Sequence, residues 1–177
     1  MTARGTVLVL SCLGLSAASR SVPSGLPPQL AGYRAWQAGD VHAVSTPLSI
    51  LCAALPPKEL ARRREELQRA HGPHAERYLR VFANATASAA AREAMAKTFP
   101  PGSVVAKEKL ADPYAAHPEA VAFMIKHAPG TYPGSGDWEF RYYPEARGAE
   151  YSGCIECHRT GASRDYVFGR LTGAAQQ

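Results

Sequence analysis

A chain of 177 residues, 46% hydrophobic and 20% charged, has material for one domain with a real core and is too short for two comfortable ones. Its net charge of +5, with acids and bases interspersed, is no nucleic-acid footprint. No apolar run reaches the roughly 20 residues that a membrane-spanning helix needs, so the mature chain is expected to be soluble.

At the N-terminus Arg4 precedes an apolar run over 6–15 and then Ser16, Ala17 and Ala18. A cation, a short apolar stretch and small residues in that order read as a cleavable signal peptide over 1–18, with lipid attachment at Cys12 as the alternative. Residues 19–32, rich in Ser, Pro and Gly, read as a flexible arm, and the domain is expected over 33–177, opening at Tyr33-Arg34-Ala35-Trp36. Cys52, inside an apolar stretch over 50–55, reads as a small buried hydrophobe. Pro56 and Pro57 introduce strong helix formers over 58–70 and Gly72-Pro73 stops them, which predicts a helix. On it Arg62-Arg63-Arg64 is followed by Glu65 and Glu66, the pattern of a solvated face; the alternative is a docking patch for an acidic redox partner protein.

Residues 78–83 are aromatic and β-branched and read as extended, and the alanine-rich stretch 85–97 reads as a second helix, ending before the turn cluster Phe99-Pro100-Pro101-Gly102. Over 104–110 a period of two places Val105, Lys107 and Lys109 on one face and Val104, Ala106, Glu108 and Leu110 on the other. The apolar run 120–127 fits a buried strand, although periodicity alone admits a short helix. Pro133-Gly134-Ser135-Gly136-Asp137 suits a hairpin turn into 138–143, where Trp138, Phe140 and Tyr142 oppose Glu139, Arg141 and Tyr143. The sum is an α+β domain, a predominantly antiparallel β-sheet with flanking helices.

Cys154-Ile155-Glu156-Cys157-His158 is a CxxCH motif, the signature of covalent c-type haem attachment. Two thiols at that spacing can each add to one porphyrin vinyl group, and the following histidine then lies under the iron. Cys154 and Cys157 are therefore the expected haem thioethers and His158 the proximal iron ligand, in a protein carrying one covalent haem c. The alternatives are a redox dithiol, which would usually open a helix in a βαβ pattern, and a zinc half-site, which would need a second ligand pair. Haem attachment on the outer side of the inner membrane agrees with the export signal and predicts a periplasmic protein. Two propionates would leave the loaded chain only mildly basic.

A small electron-transfer cytochrome c carries this motif near its N-terminus and takes a methionine from downstream as second ligand. Here nineteen residues follow His158 and none is methionine. The formal upstream candidates are Met95, Met124, His117, His127, Lys107 and Lys109; the alternative is an open sixth position that admits a small molecule. A gas-binding pocket would be lined by apolar side chains such as Val105, Phe123 or Phe140, whereas an enzyme would add a proton acceptor, for which Glu145 and Glu150 are unplaced carboxylates. Asp137 reads as a turn residue, and Asp165 as a helical-turn cap or a propionate contact.

Several pieces in order resemble the cytochrome P-460 family and its relative cytochrome c′-beta. They are Gly32-Tyr33-Arg34-Ala35-Trp36, the run Phe99 through Glu108, Gly136-Asp137-Trp138-Glu139-Phe140, the CxxCH motif, and Asp165-Tyr166-Val167-Phe168. The resemblance implies a predominantly antiparallel β fold, often a homodimer, with a five-coordinate haem iron and the haem motif near the C-terminus. It also implies that the lysine of the Val-Lys-Glu segment, here Lys107, is the residue that enzymatic members bond to a porphyrin meso carbon. Those members oxidise hydroxylamine; relatives without the bond bind nitric oxide or similar gases, or carry electrons. An ordinary solvent-facing lysine is the other reading of Lys107, and Lys109 shares its face. Two functions follow: a periplasmic mono-haem c-type cytochrome for small nitrogen compounds, gases or electron transfer, and a hydroxylamine oxidoreductase with a lysine-haem cross-link.

Overall fold

Alternating side chains produce the expected strands, and their register builds one antiparallel sheet. In the computed structural model, which describes residues 25–43, 55–93, 98–144, 151–168 and 171, the strands are β1 (Gln37–Ala38), β2 (His42–Ala43), β3 (Tyr78–Ala83), β4 (Val104–Leu110), β5 (Ala120–Lys126) and β6 (Trp138–Tyr143). The order is β1-β3-β4-β5-β6, with β2 also pairing β3. The helices are α1 (Pro28–Ala31), α2 (Pro57–His71), α3 (Ala85–Arg92) and α4 (Ser152–Arg159). The signal-peptide reading, Cys12, Cys52, Met95, Glu145, Glu150 and residues 94–97 of the expected second helix lie outside the described residues.

Both faces of the sheet are covered, which is why the 120–127 run is apolar at nearly every position. On one face Ala83, Val105, Met124, Trp138 and Phe140 pack with Ala87 of α3 and with Val167 and Leu171, and Cys154 and Ile155 of α4 lie against them. On the other, Phe82, Ala106, Val121, Phe123 and Tyr143 pack around Tyr33 and Leu30. Residues 26–31 are therefore not a flexible arm. Leu30 is buried and Leu26 packs beside it, so the domain begins ahead of Tyr33.

Phe123 also needs correction as a pocket residue. Register pairs Ala122 with Lys107 and Phe123 with Ala106, so Phe123 faces away from Lys107 and meets Tyr33 edge-on at 5.4 Å. That second face buries Glu108, whose carboxylate accepts from Tyr33 Oη at 2.7 Å and from Arg34 Nε at 2.6 Å, with Arg80 at 3.6 Å. A buried carboxylate persists because these charge-assisted bonds offset its desolvation.

Helix α2 starts on Pro57 and stops at Gly72, whose φ of 53° suits glycine. None of its described residues is buried. Arg62 pairs with Glu59 and Glu66, Arg63 with Glu59, and Arg64 with Glu76, so the basic triple is a salt-bridged, solvated face. Among the described residues no helix is long and apolar enough to cross a membrane.

Candidate functional site

Helix α4 brings Cys154, Cys157 and His158 onto one face, because positions three and four apart on a helix are neighbours. Both thiols are unbonded; Cys154 is half-buried and Cys157 is exposed. His158 is buried, its ring 5.1 Å from Phe140 and 5.0 Å from Phe168.

The other side of that ring is fixed. His158 Nδ1 lies 2.6 Å from the Tyr166 carbonyl oxygen, which can only accept, so Nδ1 carries the proton and Nε2 presents its lone pair. A carbonyl behind the imidazole is the support a metal-ligating histidine needs. The Tyr166 carbonyl is aimed there by two consecutive left-handed residues, Asp165 (φ 52°) and Tyr166 (φ 65°), a conformation that costs free energy outside glycine. Packing and hydrogen bonds hold it. Asp165 accepts from Lys126 Nζ at 2.7 Å and from the Phe99 N–H at 2.7 Å, while its carbonyl accepts from Trp138 Nε1 at 2.8 Å. Asp165 is thus committed to the turn under His158. Gly136 closes the same corner, since a Cβ there would come within 2.5 Å of the Tyr166 ring.

Beyond His158 the sheet supplies a floor. Val81, Lys107, Ala122 and Tyr142 are register partners across four strands, and Lys109 lies one step along, opposite Leu79 and Ala120. Lys109 Nζ is 3.0 Å from Tyr142 Oη and 4.7 Å from that ring's centroid. Lys107 is half-buried and, among the described residues, has no carboxylate partner. Burial chiefly pushes its amine below the ordinary lysine value, with Lys109 adding to the effect; negative charge on Cys154 and Cys157 works the other way.

Of the proposed distal groups, Met124 is packed in the core with Val105 and Phe140, His127 is held by Glu139 at 2.7 Å, and His117 is exposed. Sequence reasoning missed His74. It sits in the turn between α2 and β3, and Lys107, Lys109 and His158 are all close enough for their charges to act on it. With burial as the larger cause, they push its imidazole down to about 3. No spacing rule links a histidine in a Gly-Pro-His turn to a motif eighty residues on.

A cleft of about 570 Å³ between α4 and the 131–135 loop is lined by Ile155, Glu156 and Arg159, the opposite side of the helix from the thiols, so it is distinct from this pocket. Among the described residues no three His, Cys, Asp or Glu side chains converge as ligands for a bare metal ion. The donor set of two thiols and one backed imidazole on a single helix face instead fits a porphyrin iron, which brings its own equatorial nitrogens.

The family model for Cytochrome P460 matches residues 31–169, nearly the whole described domain and all of these groups. The chain belongs to the cytochrome P460 family. Membership makes it a c-type haem cytochrome, with haem c as its cofactor and a ligand position at the iron. The cytochrome P460 match also spans the α2 segment and His74. Among curated proteins, none matches the chain.

Proposed function

We propose that this chain is an exported, periplasmic, mono-haem c-type cytochrome that binds small nitrogen compounds at its iron. Cys154 and Cys157 hold the porphyrin through thioethers and His158 Nε2 is the proximal ligand. The observation carrying this reading is the His158 ring, which is buried between two phenylalanines and backed by the Tyr166 carbonyl beside the two thiols. The bound haem supplies an iron for ligand binding and electron transfer. Phe140 and Phe168 exclude water from His158, and the Asp165–Lys126 pair fixes the turn that orients it. Arg4 and the apolar run over 6–15 support export.

One observation favours the second reading, oxidation of hydroxylamine. Lys107 stands on the sheet floor within electrostatic reach of both thiols, and burial chiefly pushes its amine below the ordinary lysine value. A bond from its nitrogen to a porphyrin meso carbon would replace one N–H and one C–H, a two-electron oxidation that needs an external oxidant such as a peroxide. Such a bond would change the electronics of the macrocycle. Anaerobic titration of the haem-loaded protein with nitric oxide and hydroxylamine tests the function: spectral change with either is expected, and none with both would overturn it. Reduction of an artificial electron acceptor by hydroxylamine would separate the enzyme from the binder.

A further inference from the structure

His74 Nδ1 is buried and makes no hydrogen bond. This contrasts with His158, whose Nδ1 is held by a carbonyl. A metal-ligating histidine normally has its second nitrogen supported in that way. His74 lacks that support, which leaves its Nδ1 a buried polar atom with no partner in the protein.

Its position follows from register. His158 packs on Phe140, which belongs to the row Ala83, Val105, Met124, Phe140. His74 ends the turn that leads into β3 at Tyr78, and Tyr78 and Leu79 pair with Leu110 and Lys109 at the other end of the same strands. The Lys107 row lies between these two ends. Burial chiefly, and then the charges of Lys107, Lys109, His158 and His71, oppose a proton on His74, so these groups lie within electrostatic reach of it. Neither lysine, once protonated, can accept a hydrogen bond.

We propose that His74 is a distal histidine: across the Lys107 row from His158, its unpaired ring nitrogen accepts a hydrogen bond from a proton-bearing molecule, of the hydroxylamine class, bound at the haem iron. The inference rests on haem being held by Cys154, Cys157 and His158. It also gives the α2 segment a role, since the turn that ends that segment delivers His74 to the pocket.

The test compares haem-loaded wild type with His74→Leu and His74→Gln, measuring hydroxylamine affinity of the ferric form, nitric oxide affinity of the ferrous form, and the electron paramagnetic resonance spectrum. Nitric oxide has no proton to donate and serves as the control. His74→Leu is expected to weaken hydroxylamine binding roughly tenfold, the loss of one buried hydrogen bond. Nitric oxide affinity should stay nearly constant, and His74→Gln, whose amide oxygen still accepts, should recover most of the loss. Unchanged hydroxylamine binding in His74→Leu would overturn the proposal, as would equal losses of both ligands in both variants. A low-spin, six-coordinate wild-type spectrum that becomes high-spin in His74→Leu would make His74 an iron ligand and overturn the hydrogen-bonding role. Failure of the underlying haem reading is separable, because mass spectrometry would then show no haem on Cys154 and Cys157.

Discussion

Lys107 and Glu108 are chain neighbours on β4, yet their side chains enter opposite faces of the sheet and opposite kinds of environment. Glu108 is fully buried, one carboxylate oxygen accepting from Tyr33 and Arg34 of the turn before β1 and the other lying 3.6 Å from Arg80 of β3. Lys107 has no carboxylate partner among the described residues, while Lys109 on the same face is bonded to the Tyr142 hydroxyl and feels the charge of Glu119, and both lysines and His158 act on His74. One face uses an ionisable group to fix structure; the other keeps its bases depressed and available. Buried charge with partners marks the frame, whereas the face that gathers the depressed bases is the one we propose for the haem.

Removing the frame's charge should have the largest effect. Glu108→Ala leaves Arg34 and Arg80 uncompensated and should cost about 3–5 kcal/mol in denaturant unfolding, with Glu108→Gln costing less. Whichever variant folds should keep the wild-type haem spectrum, since the network lies on the far side of the sheet. Gly136→Ala should cost about 2 kcal/mol, from its left-handed φ of 62° and the collision with Tyr166. Unlike the Glu108 variants it should also perturb the haem spectrum, because Tyr166 backs His158; an unchanged spectrum would separate that turn from the iron.

The comparison also has a pH signature in the haem-free chain. His74 is held down to about 3, while an unfolded histidine takes a proton near its ordinary value of about 6.5. The unfolded state therefore binds more protons between those values, and stability present above about pH 6.5 should decline as the pH falls toward 3. His158 is shifted in the same direction by burial, so His74→Gln should flatten the slope without abolishing it. The smallest effect runs the other way. Lys107→Met should stabilise the haem-free chain by about 1 kcal/mol at neutral pH, because it removes an unpaired cation from a partly dry site. A destabilising result would mean that Lys107 belongs to the frame after all.

Much of this was readable from the residues. The strand at 78–83 declares itself by its aromatic and β-branched residues, those at 104–110 and 138–143 by alternation, and the helix read over 58–70 by its proline start and glycine stop. The facing of Phe123 was not, because a strand buried on both sides has no polar face to set its phase. The two-residue strands β1 and β2 are too short for any period, and the docking of Leu30 depends on a single side chain. The CxxCH motif carries the proposed haem ligands in its spacing, whereas His74 is placed by the turn between α2 and β3, which no spacing rule foresees.

The most direct test of the central claim, that the Lys107 face holds the haem, is tryptic and intact mass spectrometry of the protein produced with c-type haem maturation. One haem is expected on the peptide containing Cys154 and Cys157; a further bond to Lys107, with the loss of two hydrogen atoms, would favour the hydroxylamine-oxidising reading. A chain without covalent haem, or one whose two cysteines form a disulfide in a haem-loaded preparation, would contradict the central claim.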